Sequence, residues 1–504
     1  MSILRNSLFL LATSLLLAAA VKSSEPEKPN VIVIYVDDVG WVDLESYGSE
    51  FYETPNIDSL LSKGLRFTQA YSNAPLCSPS RIGLLTGRHC ARAKCYEVVS
   101  GKWDETGFFL RYGQGTKDDI IWDWEERVDF DPPPNTLDLP KDRKIMPEYL
   151  KELGYFTGFF GKWHVGPQKP DDRGFDEYAS LQLFVNGAHL DVTKGRTVKT
   201  PDYPEPSGTS GDYMTRLCLE FIDRADDRPF FLYLAHPLIH TPFDVTPDLL
   251  AKYRKKSPTL IQSDAVYAGM MEMLDDSIGR FISGLEERGL MDDTLIIFTS
   301  DNGGMTGPTK ASPELNGYML GEITNMHPLR GGKVQLWEGG VRVPMGVVFG
   351  DRIPGKTFTG VTTQLDILPT ILNVVGYPDF ENARTSLDGR SLKPILDDPQ
   401  GNWEERSIFF HHPGYRGMTF KPAFEGQGAG FDQRPESVVR RGDWKLIESL
   451  ETGKVQLYNL QDDIGETTDV SHEKPELVSS LKSELRAWWK EVDADMPIPK
   501  TAGQ

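Results

Sequence analysis

Oxygen ligands suited to a hard metal ion occur as two pairs of neighbouring residues. Asp37-Asp38 directly follows the apolar run 31–36, and Asp301-Asn302 lies just beyond the apolar run 294–299. Carboxylate and amide oxygens are the ligands that Ca²⁺ and Mg²⁺ prefer in proteins. Zinc fits less well, because the sequence holds no cluster of histidine and cysteine with the usual ligand spacing. The two pairs therefore indicate a site for a hard divalent cation.

Side chains that can donate hydrogen bonds to an anion follow two other apolar runs, 155–160 and 229–235, or lie in separate segments. These donors are Arg81, Lys162, His164, His240 and Lys333. Donors around a cation that acids hold suggest an oxyanion substrate, because they offset the negative charge that grows on a departing ester oxygen. The pattern therefore favours an ester of phosphate or sulfate as the substrate.

The run 77–88 opens with a cysteine at the predicted N-terminus of a helix. Pro79 and Ser80 suit a first helical turn, and the helix dipole favours an anion at that end. A thiolate of Cys77 could act as a nucleophile. A thiolate is, however, a poor partner for a hard Ca²⁺ ion. The residue types alone leave the role of this cysteine open.

The elements predicted around these residues alternate between strands and helices, which is typical of an α/β fold. We expect strands at 31–36, 155–160, 229–235, 294–299 and 345–349, and helices at 56–63, 146–153, 212–223 and 264–288. Ligands of a parallel α/β sheet bind beyond the carboxyl ends of its strands. Each polar group taken singly has an ordinary explanation, such as a turn or a helix cap. Four groups at the same end of one sheet instead predict one shared site.

Residues 90–145 interrupt this alternation. The segment contains Trp103, Trp122 and Trp124 together with acidic runs. A long irregular segment inside a compact domain is usually a functional excursion over a site. A surface insertion without a role is the alternative.

The pattern changes again after about residue 400. Short strands are expected at 407–412, 437–447 and 454–460, followed by an amphipathic helix at 475–492. We therefore expect a large first domain at 21–400 and a smaller α+β domain with an antiparallel sheet at 401–504.

The charge balance narrows the classes of protein that fit. The chain has 504 residues, with 54 Lys+Arg against 74 Asp+Glu and a formal net charge of -20. A nucleic-acid binder needs clustered basic residues, so that class is excluded. The four cysteines are too few for a disulfide scaffold, although Cys90 and Cys95 could pair and Cys218 could be a buried free thiol.

The N-terminus is typical of an export signal. Arg5 precedes the apolar run 8–21, and Ala18-Ala19-Ala20 suits cleavage, so we expect a signal peptide at 1–20. The run is shorter than the ~20 residues that span a bilayer, so no stable membrane anchor is expected. No Asn-x-Ser/Thr sequon occurs, which favours a bacterial periplasmic or secreted protein.

The run 77–88, Cys-Ser-Pro-Ser-Arg-Ile-Gly-Leu-Leu-Thr-Gly-Arg, matches the signature of the formylglycine-dependent sulfatases at every fixed position. Other segments that resemble this family follow in order: Asp37-Asp38, Gly161-Lys-Trp-His164, His240-Thr-Pro242, Asp301-Asn302-Gly303, Gly332-Lys333 and Arg441-Gly-Asp-Trp-Lys-Leu446. The resemblance covers about 29–89, 145–376 and 405–470, but not 90–145. It implies the alkaline-phosphatase-like fold, with a large, mostly parallel central sheet flanked by helices.

The resemblance also implies a mechanism. A maturation enzyme oxidises Cys77 to formylglycine, whose hydrate attacks sulfur with one hydroxyl and expels sulfate with the other. One Ca²⁺ ion, with Mg²⁺ less favoured, is held by Asp37, Asp38, Asp301, Asn302 and the modified Cys77. Donor roles are implied as well: the hydrate is oriented by Arg81 and His164, sulfate is bound by Lys162 and Lys333, and the leaving oxygen is supported by His240 and Lys333.

Several points remain open at this level. His236 could share the role of His240 or simply pack, and Trp337 stands where family members more commonly have a smaller ring, which could alter the pocket wall. His327 and Arg330 are candidate substrate contacts. A sulfatase acting on a short sulfated carbohydrate is the favoured function. The alternatives are a phosphonate or phosphodiester hydrolase of the same superfamily and a non-catalytic glycan-binding protein.

Overall fold

The structure is a computed structural model that describes residues 28–99, 101–103, 109–111, 130–136, 138–184, 189–194, 210–241, 243–307, 309–312, 318–416 and 433–500. The candidate leader at 1–20 and two tryptophans of the excursion, Trp122 and Trp124, lie outside these residues. In the described ranges, no helix combines the length and the apolar character needed to cross a membrane.

Strands occur along most of the described chain. They are β1 (Asn30–Val36), β2 (Leu65–Tyr71), β3 (Gly101–Trp103), β4 (Phe109–Arg111), β5 (Phe130–Asp131), β6 (Phe156–Gly161), β7 (Glu177–Phe184), β8 (His189–Lys194), β9 (Phe230–Ala235), β10 (Thr294–Ser300), β11 (Thr309–Ser312), β12 (Tyr318–Gly321), β13 (Arg342–Val348), β14 (Lys356–Phe358), β15 (Thr362–Thr363), β16 (Ser407–His412), β17 (Glu436–Arg441), β18 (Trp444–Ser449), β19 (Val455–Asn459) and β20 (Ile498–Pro499).

Helices lie between these strands and after them. They are α1 (Pro55–Ser62), α2 (Cys77–Thr86), α3 (Met146–Glu152), α4 (Ser210–Ala225), α5 (Pro247–Tyr253), α6 (Ala265–Glu287), α7 (Glu338–Val341), α8 (Ile367–Val374), α9 (Phe380–Arg384), α10 (Lys393–Asp397) and α11 (Pro475–Val492). The helices predicted at 56–63, 146–153, 212–223, 264–288 and 475–492 are confirmed, with ends that differ by at most two residues.

The central sheet has ten strands in the order β14-β2-β13-β10-β1-β9-β6-β7-β8, with β15 also paired to β2. The five strands β10, β1, β9, β6 and β7 are parallel, which confirms the expected mostly parallel α/β sheet. Strand β13, which contains most of the predicted run 345–349, is antiparallel to both of its neighbours. The apolar pattern of a buried strand carries no information on its direction, so the sequence did not predict this reversal.

Strand β1 lies in the middle of the sheet and is buried on both faces. Its side chains alternate between two cores, with Val31, Val33 and Tyr35 on one face and Ile32, Ile34 and Val36 on the other. Side chains of α2, α3 and α8 belong to the first core, and side chains of α1, α4 and α6 belong to the second. Burial on both faces explains why such a strand is a continuous apolar run.

The C-terminal sheet consists of β16, β17, β18 and β19 in antiparallel order. The predicted strand 437–447 is in fact two strands, because the chain reverses at Gly442, whose φ is 57°. One face of the sheet packs against α11. The other face packs against residues of the first part of the chain, including Tyr71, Leu336 and Val341. The C-terminal sheet thus lies directly behind the segment that carries Lys333.

Candidate active site

The carboxyl ends of β1 and β10 bring the two oxygen-ligand pairs together. Val36 pairs with Ser300 in parallel register, so the next residues of both strands emerge side by side. Asp38 has a positive φ of 65°, and its N–H donates to Oδ1 of Asp301 at 3.1 Å. Nδ2 of Asn302 donates to Oδ1 of Asp38 at 2.8 Å. The structure therefore joins these residues in one buried cluster, as expected.

Cys77 is the first residue of α2 and faces this cluster. Its Sγ lies 4.0 Å from Oδ1 of Asp38, and the residue is only 1% exposed. Burial, and next the charge of Asp301, raise the pKa of the Cys77 thiol to about 12. Val334, the residue after Lys333, donates its N–H to the carbonyl oxygen of Pro75. This hydrogen bond holds the backbone just before α2.

The donor atoms suit a hard cation. One ligand atom from each of Asp37, Asp38, Cys77 and Asp301 lies within 4.8 Å of the others. Oδ1 of Asn302 is buried and has no hydrogen-bond partner among the described residues. A buried amide oxygen without a donor is costly unless something else satisfies it. Oxygen-rich ligands of this kind match Ca²⁺ or Mg²⁺.

Two lysines neutralise the cluster. Nζ of Lys162 lies 2.7 Å from Oδ2 of Asp37, and Nζ of Lys333 lies 2.6 Å from Oδ2 of Asp38. Burial opposes the charge of Asp37, but Lys162, His240 and then Arg81 outweigh it and hold the pKa of that carboxyl well below its usual range. The site therefore keeps a charged Lys162 next to a charged Asp37.

Arg81 lies one turn into α2 and is completely buried. Its Nε and Nη2 donate to Oδ2 of Asp301 at 3.1 and 2.7 Å, and its Nη1 donates to the carbonyl oxygen of Lys162 at 2.9 Å. The guanidinium lies over the ring of Tyr35, 5.3 Å from its centre. The Tyr35 hydroxyl in turn donates to Oε1 of Gln364 at 2.8 Å. Arg81 is thus held rigidly between α2, β1 and β10.

Two histidines complete the arrangement. Nδ1 of His164 is buried and has no hydrogen-bond partner in the described chain, and burial followed by the charges of Lys162 and Arg81 lowers its pKa well below the usual value. Nε2 of His240 lies 3.8 Å from Oδ2 of Asp38, and its Nδ1 lies 2.8 Å from the carbonyl oxygen of Thr241. The ring of His240 therefore donates from Nδ1, and Nε2 is free to face the cluster.

His236 lies on the loop that leads to His240. It is buried, its Nδ1 accepts from the N–H of Leu238 at 3.3 Å, and its Nε2 lies 3.1 Å from Oγ of Ser277. The same loop is bound to Asp37 by two backbone hydrogen bonds, from Asp37 N–H to the Leu238 oxygen and from Ile239 N–H to the Asp37 oxygen. Both ring nitrogens of His236 thus have partners within the fold, which favours the packing alternative, and substrate binding by His236 stays a prediction.

Arg330 and Trp337 pack against each other. The Arg330 guanidinium lies 3.7 Å from the centre of the Trp337 ring, and its Nη1 donates to the carbonyl oxygen of Glu466 at 2.8 Å. Trp337 makes an edge contact with Tyr458 of β19, with ring centres 5.9 Å apart. Both side chains therefore contact the C-terminal part of the chain, and substrate contact by Arg330 stays a prediction. His327 is half-buried on the segment before Lys333 and stays a prediction.

The start of the excursion 90–145 lies beside α2, the helix that begins at Cys77. The N–H of Val99 donates to Oγ of Ser78 at 2.8 Å, and Glu97 pairs with Arg416 and His412 from the C-terminal part of the chain. Cys90 and Cys95, expected as a possible pair, are separate buried thiols. The excursion is thus hydrogen-bonded to α2 at the residue next to Cys77.

The sequence analysis missed residues that act on this site from behind. Tyr35 and Gln364 support Arg81, Ser277 supports His236, and Lys445 and Glu466 contact the Lys333 segment through Glu338. One signal was present for Tyr35, since a hydroxyl inside an apolar central strand needs a partner. Ser277, Lys445 and Glu466 depend on long-range packing and left no local signal.

Known proteins place this architecture in a family. The sulfatase family profile matches residues 29–377. A sulfatase of Formosa agariphila is 30% identical over 97% of this chain and 96% of its own length. The N-acetylgalactosamine-6-sulfatase of Homo sapiens is 31% identical over 80% of this chain and 72% of its own length. The crystal structure of Ps i-CgsB in complex with k-i-k-neocarrahexaose has 26% identity and a TM-score of 0.69, and the alignment covers 92% of this chain and 93% of that one.

The chain therefore belongs to the sulfatase family, as its signature at 77–88 led us to expect. It is an enzyme that hydrolyses sulfate esters.

Proposed function

We propose that this sulfatase removes sulfate from a sulfated carbohydrate, using a formylglycine made from Cys77 and a bound Ca²⁺ ion. The observation that carries the proposal is the position of Cys77, which opens α2 and faces the buried oxygen ligands. The positive end of a helix favours an anion, so a sulfate group docked at residue 77 gains from it. Hydrated formylglycine would supply one hydroxyl that attacks sulfur while the alcohol of the ester leaves with a proton. Its second hydroxyl would then expel sulfate and restore the aldehyde.

The ion is held by Asp37, Asp38, Asp301, Asn302 and the modified residue 77. Ca²⁺ is the first choice and Mg²⁺ the second, because the set contains only oxygen donors once the cysteine has been converted. A bound divalent cation supplies positive charge that polarises a sulfate oxygen.

The remaining side chains bind, orient and neutralise. Lys162 and Lys333 bind sulfate oxygens, since each already holds its charge next to a carboxylate of the cluster. Arg81 and His164 orient residue 77. His240 and Lys333 stand at the leaving oxygen. The Lys333 ammonium offsets the negative charge that develops as the ester bond breaks, and His240 donates from Nε2 in the form that carries a proton on both ring nitrogens.

A carbohydrate substrate is supported by the relatives. The structure of Ps i-CgsB was determined with an oligosaccharide, and the human relative is named for a sulfated amino sugar. Aromatic side chains of the excursion 90–145 are candidates to stack on a sugar ring. Of these, Trp103 lies in β3, while Trp122 and Trp124 lie outside the described residues. If replacing all three left the KM for a sulfated glycan unchanged, the stacking role would be wrong.

The central test combines maturation and turnover. The protein is expressed with a formylglycine-generating enzyme, the mass of the Cys77 peptide is measured, and released sulfate and phosphate are quantified. The substrates are an aryl sulfate, an aryl phosphate, sulfated marine oligosaccharides and glycosaminoglycan fragments. We expect sulfate release from a glycan, and Cys77→Ala should abolish it. Cys218→Ala is the control and should keep the activity, because it removes a different buried thiol, in α4. Dominant phosphate release from converted protein would favour the phosphonate or phosphodiester hydrolase.

We further propose that the protein is exported from a bacterial cell, into the periplasm or the medium. The support is the charge and apolar pattern of residues 1–20. N-terminal sequencing of protein recovered outside the cytoplasm should begin just after Ala20. An N-terminus at Met1 in that fraction would contradict cleavage.

A further inference from the structure

One lysine and two glutamates are buried together between the C-terminal sheet and the segment 330–341. Nζ of Lys445 lies 3.1 Å from Oε1 of Glu338 and 2.8 Å from Oε1 of Glu466, and all three side chains are 0% exposed. A buried ion cluster is weak evidence for stability, because desolvation offsets much of the attraction. Its place in the fold is therefore more informative than its energy.

Glu466 holds both ends of the turn that contains Lys333. Its Oε2 accepts from the N–H of Glu338 at 2.7 Å, and its backbone oxygen accepts from Nη1 of Arg330 at 2.8 Å. Glu338 is fixed from a second side, since its Oε2 accepts from the Tyr71 hydroxyl at 2.6 Å. The segment between Arg330 and Glu338 is thus anchored to the C-terminal part of the chain at two points.

The same segment is bound directly to the metal-ligand loop. The N–H of Lys333 donates to the carbonyl oxygen of Gly304 at 2.8 Å, and the N–H of Gly303 donates to that of Gly340 at 2.9 Å. A Cβ at Gly303 would collide with the carbonyl oxygen of Gly339, so the two backbones touch. A shift of the segment would therefore move both Lys333 and the neighbouring Asn302.

We propose that Lys445 and Glu466 are positioning residues for sulfate-ester hydrolysis. Lys445, in β18, and Glu466, between β19 and α11, set the place of the segment 330–341, and through it the place of Lys333 and Asn302. Neither side chain touches the ligand cluster, so both act through Glu338. The inference rests on the role proposed above for Lys333. It makes the C-terminal sheet part of the catalytic apparatus rather than an independent appendage.

A matched pair of variants separates positioning from stability. Glu466→Gln keeps an oxygen for the Glu338 N–H but removes the charge that faces Lys445. Glu448→Gln is the control, because Glu448 is also buried in the C-terminal part of the chain but pairs with Arg486 at 2.6 Å and Lys482 at 3.5 Å. Both variants lose a buried charge and should unfold at lower urea concentration.

Only one variant should lose activity. We expect Glu466→Gln to lower kcat/KM for an aryl sulfate by about 10- to 100-fold and to raise the Ca²⁺ concentration for half-maximal activity, since a displacement of ~1 Å at a reacting group has effects of this size. Glu448→Gln should stay within about 2-fold of the parent protein in both quantities. Equal kinetics in the two variants would overturn the proposal.

Two further variants keep the test decisive. If Glu466→Gln does not fold, Tyr71→Phe removes one hydrogen bond to Glu338 without adding bulk, and should lower kcat/KM a few-fold. Unchanged kinetics in folded Tyr71→Phe would also overturn the proposal. Lys333→Met separates the role of Lys333 from the positioning of its segment. Unchanged turnover in this variant would refute the role of Lys333 itself. If Lys333→Met loses turnover while Glu466→Gln keeps full activity, the positioning role is refuted and the role of Lys333 stands.

Discussion

Nζ of Lys333 lies 2.6 Å from Oδ2 of Asp38, and the other oxygen of that carboxylate lies 4.0 Å from Sγ of Cys77. One carboxylate thus faces the residue proposed to attack sulfur and the lysine proposed to bind the sulfate group. Burial opposes the charge of Lys333, but Asp38 and then Cys77 raise its pKa well above the usual value, so the ammonium stays charged. The lysine is therefore a permanent positive group within the site.

Replacement of this lysine should remove transition-state stabilisation. Lys333→Met keeps much of the apolar stem but deletes the charge, and we expect kcat/KM for an aryl sulfate to fall at least ~100-fold. Steady-state kinetics on matured protein measures the effect. Lys252→Met, which breaks exposed pairs with Glu53 and Glu272, is the control and should be near the parent protein. A loss of less than about 10-fold in Lys333→Met would contradict this role.

Metal binding should stabilise the folded chain. At a Ca²⁺ concentration ~100-fold above its Kd, mass action adds about 2.7 kcal/mol to the free energy of unfolding. Urea denaturation with Ca²⁺ and with a chelator measures the difference. Asp301→Asn should abolish it, because that carboxylate belongs to the ligand cluster. Asp275→Asn is the matched control, since this buried acid instead accepts from Asn56 and Ile57 at the start of α1. Equal Ca²⁺ responses in both variants would place the ion elsewhere.

The loop that carries His240 offers a test of packing against substrate binding. Ser277→Ala removes the oxygen that faces Nε2 of His236, and a buried donor left without a partner costs about 1–3 kcal/mol of stability. We expect that loss together with a few-fold fall in kcat, because His240 follows on the same loop. The control Ser62→Ala, at an exposed position of α1, should change neither stability nor kcat. A raised KM at unchanged stability would instead make His236 a substrate contact.

Asp43 should give stability a distinctive dependence on pH. Burial raises the pKa of Asp43 to about 6, although Thr324, Tyr267 and the Gly40 N–H donate to the carboxylate. The unfolded chain has the lower pKa, so the folded state binds the proton more tightly. The stability that the folded state gains from binding this proton more tightly is complete below about pH 4 and is lost as the pH rises through about 6.

Asp43→Asn should remove this dependence. The free energy of unfolding of the parent protein, relative to the variant, should decrease by roughly 3 kcal/mol in total between about pH 3 and pH 7, because the pKa of Asp43 is raised from 3.8 to about 6 in the folded state. Denaturant titrations at several pH values measure it. Parallel stability profiles for the two proteins would show that Asp43 has an ordinary pKa.

The fold class and the family could be predicted because their signals are local. Central strands such as β1 are continuous apolar runs, and the polar residues that follow each run mark the end at which a parallel sheet binds ligands. The antiparallel direction of β13 could not be predicted, because a buried strand has the same composition in either direction. The hairpin at Gly442 had a local signal, a Gly-Asp turn, which the apolar residues on both sides obscured.

Contacts between distant segments were beyond sequence reasoning. Arg330 precedes Lys333 by three positions, which suggested a shared pocket, yet its guanidinium faces Glu466 and Trp337. Lys445 lies inside the predicted strand 437–447, and a lysine is ordinarily exposed. Only the packing of the C-terminal sheet against the segment 330–341 shows that its charge is buried.

The depth of Cys77 sets an order of events in the life of the chain. A side chain that is 1% exposed at the base of a folded site is out of reach of another enzyme's active site. The proposed conversion to formylglycine would therefore have to come before folding, on the nascent or unfolded polypeptide. Under that proposal, a molecule that folds with its thiol unconverted would be a stable but inert product, and adding the maturation enzyme afterwards would not rescue it. The yield of active protein is then decided by a race between modification and folding.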